Sequence, residues 1–338
     1  MKILNIKDAP LKVYGIPFYD KTKAFIRVPE SAVKPELFEG KEHLHHAFRR
    51  CSGARIGFRT NATEFTVKVS LETFSVDIGM SIYAAQSVAV MIGNHTNCKH
   101  MGLCFPKDYQ TKTFERTYKK SAAMEDILIF LPRNEILADV EISFPDDAVI
   151  EAPTPYKYGP AVYYGSSITE GGCSTNLANN YTSLLSRWLD MDYYSFGFSG
   201  SAIGTPEIAD YINTIPDIKL FVYDYDHNAP TAEHLWKTHE PFFKKIREAH
   251  PDMPILILSC PDFEYIPEAE ERINAIRTTY ENAVKNGDKN VYFICGKDYF
   301  DEKDLPLCLV DNIHPNDLGF YRMAEKMYPV MKKMLGID

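Results

Sequence analysis

The stretch "AVYYGSSITEGG", residues 161–172, joins an apolar run to three glycines and four polar residues. An apolar run of this kind is typical of a buried strand. Glycine is used where the backbone must turn tightly or approach another group closely. Two interpretations are open for this stretch: its serines cap the next helix, or the loop presents one serine to a substrate. The rest of the chain has to distinguish them.

After this stretch, apolar runs alternate with segments of helical periodicity. The helical segments include "YTSLLSRWL" (181–189), "PEIADYINTI" (206–215) and a long one at 231–250 that contains Pro241. Such alternation predicts an α/β fold, with a parallel sheet covered by helices on both faces. Ligands of such sheets lie outside the carboxyl ends of the strands. The five predicted strands are residues 161–164, 192–196, 219–225, 254–259 and 291–295.

Residues 1–150 have a different period. In "EFTVKVSLE", residues 64–72, apolar and polar side chains alternate, which predicts a strand with one buried face. "MSIYAAQSVAVMIG", residues 80–93, continues the succession of short strands, so we predict an antiparallel β-sandwich. Three prolines and a glycine predict a linker at 151–160. The expected domains are therefore 1–150 and 161–338.

Composition excludes several classes of function. The net charge is −9 without a block of Lys and Arg, which disfavours binding to nucleic acid or to an anionic membrane. The beginning of the chain lacks the apolar run of a signal peptide, and seven cysteines without a C-x-x-C pair indicate reduced thiols, so we expect a cytoplasmic protein. "HLHH", residues 43–46, has no second ligand group, and no nucleotide motif occurs. We therefore expect neither metal nor cofactor.

Chemically capable residues follow four of the five predicted strands. Ser167 follows the first, Gly200 the second and Asn228 the third, while Asp311 and His314 follow the fifth. Alone, each has an ordinary structural interpretation as a turn, loop or helix-start residue. Their joint occurrence at strand ends favours a common site.

This order resembles that of the SGNH hydrolases, the GDSL esterase family, over roughly residues 160–335. The family's first block, Gly-Asp-Ser-x-Thr-x-Gly, stands here as "GSSITEG", residues 165–171, with Ser166 in place of Asp. Ser195 replaces the usual Asn of the second block, and Asp226-His227 stand where the third commonly has glycine. The Asp-x-x-His of the last block is complete. The resemblance implies a C-terminal domain with a flavodoxin-like, five-stranded parallel sheet.

The resemblance also implies the role of each residue. Ser167 would be the nucleophile, His314 its general base, and Asp311 the group that orients the imidazole. The backbone N–H groups of Ser167 and Gly200 and the side-chain amide of Asn228 would form the oxyanion hole.

The first half resembles the small jelly-roll-like sandwich that precedes some of these hydrolases. The recurring Gly-x-Asp-Leu-Tyr of that sandwich stands here as "GMSIY", residues 79–83, with Ser81 in place of Asp. This pairing of domains implies a serine esterase that deacetylates a carbohydrate, with the sandwich supplying part of the cleft.

Two alternatives stay open: a short-chain or lipid esterase, and an inactive sugar-binding protein. The expected partner is a small ester substrate, an acetylated oligosaccharide, with no nucleic acid or membrane. A homo-oligomer stays possible.

Overall fold

The structure is a computed structural model that describes residues 1–29, 46–76, 79–80, 82–261 and 266–337. Up to residue 151 the described residues include short strands and two single-turn α-helices. These elements are β1 (Lys2–Asn5), β2 (Lys12–Tyr14), α1 (Tyr19–Thr22), β3 (Arg55–Thr60), β4 (Glu64–Leu71), α2 (Ile82–Ala85), β5 (Val88–Ile92), β6 (Lys99–Cys104), β7 (Thr113–Lys119), β8 (Glu125–Phe130), β9 (Leu137–Phe144) and β10 (Ile150–Glu151).

The strands of this half form two antiparallel sheets. One has the order β1-β9-β4-β7, and the other has the order β10-β3-β8-β5-β6 with β2 also paired to β3. Val67, Val90 and Ile129 belong to one apolar cluster to which both sheets contribute. The predicted antiparallel sandwich is therefore confirmed.

The two sheets differ in how many faces are buried. Strand β4 alternates between buried and partly exposed residues, whereas β5 and β8 are buried almost continuously. The outer faces of β5 and β8 are covered because they pack against the second half of the chain. The apolar cluster at this contact between the two halves contains Ala89, Met91, Leu128, Phe130, Leu177 and Ala178. The unbroken apolar runs in these strands follow from burial on both faces.

The strand predicted across residues 80–93 is only partly present. Ile82–Ala85 form the helical turn α2, closed by a hydrogen bond from Gln86 N to Ile82 O at 3.1 Å. The side-chain amide of Gln86 donates to the buried carboxylate of Glu135 at 2.8 Å. This tertiary contact favours the turn over continued strand. Ser81 lies outside the described residues.

The second half alternates strands and helices as predicted. Its elements are β11 (Tyr158–Gly165), α3 (Ser167–Glu170), α4 (Tyr181–Leu189), β12 (Met191–Gly197), α5 (Pro206–Asn213), β13 (Leu220–Asp224), α6 (Ala232–Ala249), β14 (Ile255–Leu258), α7 (Ala269–Lys285), β15 (Val291–Ile294), α8 (Leu305–Cys308) and α9 (Asp317–Met334). Helix α6 runs through Pro241 without a break. The predicted linker, 151–160, includes the last residue of β10 and the first three of β11.

Strands β11–β15 form one sheet in which every pairing is parallel. Its order is β12-β11-β13-β14-β15, which is the flavodoxin-like order with β11 beside the point where the direction of winding reverses. Gly165 at the end of β11 is in register with both Gly197 and Asp224. The carboxyl ends of β11, β12 and β13 are therefore level, and the loops that follow them lie at one edge.

Helices cover both faces of this sheet. Residues of α5, α6 and α7 pack in one apolar cluster, while α4 and α9 contribute to the cluster on the opposite face. The seven cysteines, all of which lie in the described part of the chain, form no disulfide bond with one another. No helix among the described residues is both long and apolar enough to cross a membrane.

Candidate active site

Ser167, His314 and Asp311 form a hydrogen-bonded chain. Ser167 begins α3 directly after β11, and the other two lie in the turn between α8 and α9. Ser167 Oγ lies 2.8 Å from His314 Nε2, and His314 Nδ1 lies 2.8 Å from Asp311 Oδ2. A carboxylate only accepts, so Nδ1 carries the proton and Nε2 can accept from the serine hydroxyl. This is the side-chain arrangement of a serine hydrolase triad.

Ser166 caps the helical turn that begins with Ser167. The side chain of Ser166 accepts from Ile168 N at 3.1 Å, and Gly171 N donates to Ile168 O at 3.0 Å at the other end of the turn. Asp and Ser are both good N-cap residues. The capping contact therefore persists where the family pattern has Asp, and the backbone leaves Ser167 facing His314.

Asp311 and His314 lie in one turn that is held together by hydrogen bonds. Asp311 Oδ1 accepts from His314 N at 2.7 Å and from Ile313 N at 3.2 Å, while Oδ2 accepts from the His314 ring. Val310 N donates to His314 O at 2.9 Å and closes the same turn. Burial raises the pKa of Asp311, but the hydrogen bonds from the His314 backbone and ring outweigh it and lower the pKa overall. Asp311 therefore remains ionised.

Gly200 and Asn228 lie in the loops after β12 and β13. Gly200 has φ 68°, in the left-handed region that favours glycine. Asn228 Oδ1 accepts from Ala202 N at 3.3 Å, so its amide joins the two loops. With its oxygen held in this way, the side chain retains its NH₂ group as a donor. Both candidates for the oxyanion hole lie at the strand edge that carries Ser167.

His227 and Asp226 have perturbed acidities beside the triad. Burial lowers the pKa of His227 to about 4, assisted by the charges of His314 and Arg272 and opposed by Asp311. Burial, followed by repulsion from Asp224, raises the pKa of Asp226 to about 7 against the opposing contacts from Cys260 and Arg272. His227 is thus neutral at physiological pH, and its lowered pKa makes it a weak proton acceptor.

Among the described residues, Asp226, His227 and Cys260 bring potential metal ligands within 4.8 Å of one another. Asp226 Oδ2 already accepts from Cys260 N at 2.7 Å, and Arg272 Nη1 donates to Asp226 O at 3.1 Å. The positive charge of Arg272 opposes a second cation here. Residues 43–45 of the "HLHH" segment lie outside the described part of the chain.

The sandwich contributes side chains that the sequence analysis did not identify. A Cβ placed on Gly172 would lie 3.2 Å from Arg133 Nη1 and 3.4 Å from His314 Cδ2. The buried Arg133 and the candidate base therefore flank the same glycine. A usable signal was the charged "RNE", residues 133–135, which follows the apolar strand β8.

A second such residue is Arg27, which is fully buried against the end of β12. It belongs to the first half, yet donates to backbone oxygens of the second. The sequence around it has no periodicity that distinguishes a buried arginine from an exposed one.

Comparison with known proteins identifies the family. Residues 159–332 match the GDSL-like lipase/acylhydrolase family, and residues 1–150 match the N-terminus of SGNH-hydrolase-type esterases. The chain therefore belongs to the GDSL-like lipase/acylhydrolase family, and both resemblances seen in the sequence are confirmed. No curated protein matches the chain.

Several solved structures share the whole fold. A protein of the GDSL-like lipase type from Bacteroides ovatus ATCC 8483 is 24% identical, covers 100% of this chain and 98% of its own, and has a TM-score of 0.85. The salicylyl-acyltransferase SsfX3 of a tetracycline biosynthetic pathway is 20% identical over 99% and 98%, with TM-score 0.78. A family two carbohydrate esterase from Cellvibrio japonicus is 14% identical over 99% and 98%, with TM-score 0.62. These similarities establish the fold of both halves together.

Proposed function

We propose that the chain is a serine esterase that removes acetyl groups from an acetylated carbohydrate, with Ser167 as nucleophile. The observation that carries this proposal is the chain of two 2.8 Å contacts from Ser167 through His314 to Asp311. A serine hydroxyl needs a base within such reach to become nucleophilic.

In the first half-reaction His314 Nε2 takes the hydroxyl proton as Ser167 Oγ bonds to the ester carbonyl carbon. The resulting oxyanion is held by the N–H groups of Ser167 and Gly200 and by the Asn228 amide. Collapse expels the sugar alkoxide, which takes the proton from His314 and leaves Ser167 acetylated. Asp311, ionised throughout, stabilises the transient imidazolium.

In the second half-reaction water replaces the alcohol. His314 takes a proton from the water as its oxygen attacks the acetyl carbonyl, and the same donors hold the second oxyanion. Acetate leaves when Ser167 Oγ recovers its proton. An alcohol in place of this water would give transfer of the acetyl group rather than hydrolysis.

Support for a carbohydrate ester comes from structural neighbours and from the position of the sandwich. Neighbours include family two carbohydrate esterases and an acetyl xylan esterase. The sandwich lies against the loop after the nucleophile, because Cys173 Sγ is 3.7 Å from Gly79 O. Polar groups from both halves can therefore surround a sugar, while acetyl needs only a small acyl site.

The test compares acyl and alcohol groups on the intact protein. Acetate release from acetylated oligosaccharides is measured beside hydrolysis of aryl acetate, butyrate and octanoate, with Ser167→Ala as the control. We expect rates to fall steeply with acyl length and sugar acetates to be cleaved. Faster turnover of octanoate indicates a lipid esterase instead, and binding of the oligosaccharide without hydrolysis of any ester indicates a sugar-binding protein.

A further inference from the structure

Arg27, from the first half, holds the carboxyl end of β12. Its Nη1 donates to Ser195 O and to Gly197 O, each at 2.8 Å. Its other nitrogens bond to the backbone of the sandwich side, Nε to Arg50 O at 2.8 Å and Nη2 to Ala47 O. One planar, fully buried guanidinium thus connects residues 47–50 of the first half to the last residues of a strand in the second.

Glu170 connects the same guanidinium to the helical turn of the nucleophile. Glu170 lies three residues after Ser167, with Oε1 3.8 Å from Arg27 Nη2. Its Oε2 accepts from Ser199 N at 3.1 Å, one residue before Gly200. The backbone of Glu170 also lies against the end of β12, since a Cβ on Gly197 would lie 2.2 Å from Glu170 N.

The buried ion pair by itself is a poor source of stability. Both Arg27 and Glu170 are fully buried, and burial of an ion pair costs desolvation that its attraction often fails to offset. Burial, with repulsion from Arg50 and Arg133, lowers the pKa of Arg27 to about 10 although Glu170 opposes the shift, so Arg27 stays charged near neutral pH. What the pair does provide is geometry, since it fixes the backbone at residues 195, 197 and 199 directly before Gly200.

We propose that Arg27 and Glu170 are positioning residues of the oxyanion hole, through which the sandwich aligns the Gly200 N–H with Ser167. The proposal rests on the proposed esterase function. It makes the first half part of the catalytic apparatus as well as a wall of the substrate cleft. Misplacement of catalytic groups by about 1 Å can cost roughly 100-fold in rate.

Arg55 offers a matched control. It is also a fully buried arginine of the first half that contacts β12. It pairs with Asp192 and stacks 3.9 Å from the ring centre of Tyr193, at the amino end of the strand. Because Asp192 lies three residues before Ser195 and five before Gly197, the two arginines act at points roughly 10 to 16 Å apart on the same strand.

The experiment compares Arg27→Lys with Arg55→Lys in the full chain. Lysine keeps the charge but cannot reproduce the several directed hydrogen bonds of a guanidinium. We expect both variants to melt at lower temperature. Only Arg27→Lys should lower kcat, by roughly 10- to 100-fold, with KM on aryl acetate changed less than about threefold.

A transition-state probe separates positioning from general loosening. A short alkylboronic acid bonds to Ser167 Oγ and becomes tetrahedral, with one boronate oxygen in the oxyanion hole. Its inhibition constant should rise in Arg27→Lys by the factor that kcat falls, and should stay within about twofold in Arg55→Lys. Equal changes in the two variants, or a folded Arg27→Lys with wild-type kcat, would overturn the proposal.

Glu170→Gln covers the case in which Arg27→Lys does not fold. An amide can still accept from Ser199 N, but its NH₂ then faces Arg27, so we expect kcat and boronate affinity to fall together, by at least about fivefold. An unchanged boronate affinity in this variant also overturns the proposal. Failure of the proposed function gives a different result: either the wild-type protein hydrolyses no ester, or Ser167→Ala keeps the esterase activity of wild type.

Discussion

Replacement of Asp311 by Asn tests the triad, because Asn cannot accept all the hydrogen bonds that the Asp311 carboxylate accepts. All three described partners of the Asp311 carboxylate are N–H donors: the ring of His314 at 2.8 Å, its backbone at 2.7 Å and the Ile313 backbone at 3.2 Å. Asparagine supplies one acceptor oxygen and one NH₂ group. If the oxygen keeps the two backbone donors, the NH₂ faces the ring and favours the tautomer with its proton on Nε2. That tautomer cannot accept from Ser167.

The expected loss is smaller than in a buried triad. The equivalent change in a serine protease with a buried Asp costs roughly 10⁴ in kcat. The Asp311 side chain is 45% exposed, so water can partner the ring and restore part of the correct tautomer. We therefore expect kcat/KM to fall about 100- to 1,000-fold, equivalent to roughly 3–4 kcal/mol of barrier.

The assay is hydrolysis of aryl acetate by wild type and Asp311→Asn from pH 5 to 9. Asp304→Asn is the control. It also removes the charge of a carboxylate, but Asp304 pairs with Arg322 at 3.0 Å and is not part of the triad. Because the hydrogen bonds from His314 hold the pKa of Asp311 below its ordinary value, the acidic limb of activity does not arise from Asp311. A loss below about tenfold in a folded variant would refute this account of Asp311.

Three further outcomes are expected. Ser167→Ala should lose more than roughly 10⁴-fold in kcat, and a serine-reactive phosphonate should label the peptide at Ser167. Ser166→Ala should lose only the helix cap, which costs about 1 kcal/mol of stability, and less than tenfold in rate. Labelling at Ser166 alone would contradict the assignment. His227→Gln should leave the pH profile unchanged between roughly pH 5 and 8, because the pKa of His227 is already lowered to about 4; a shifted acidic limb would make His227 the base. Burial raises the pKa of Asp226 to about 7, so the folded state binds one more proton than the unfolded state between about pH 4 and 7, and the free energy of unfolding falls as pH rises through this range. Asp226→Asn should flatten this pH dependence in melting curves and add up to roughly 4 kcal/mol to the free energy of unfolding above pH 7. An unchanged pH dependence would count against the raised pKa of Asp226.

Residue periodicity by itself determined most of the secondary structure and the class of each half. Alternation in β4 and the strand–helix succession after residue 160 express which faces are buried, and burial is encoded locally. Because parallel strands present their carboxyl ends at one edge, the same reading also placed Ser167, Gly200 and Asn228 together. The turn at Asp311 is equally local, since its partners lie within three residues.

Only the tertiary structure decided how the two halves meet. The contacts from Arg27 to Ser195 and Gly197 span 168 and 170 residues. The sequence alone does not show which arginine is buried and which is exposed. The helical turn at Ile82–Ala85 likewise depends on Glu135, which lies about fifty residues away in sequence. Such pairings depend on which surfaces approach after the chain folds, so no local period records them. The sequence analysis predicted the sandwich as a wall of the cleft. In the structure, the outer faces of β5 and β8 pack on the second half, and the buried side chain of Arg27 reaches the backbone at the end of β12.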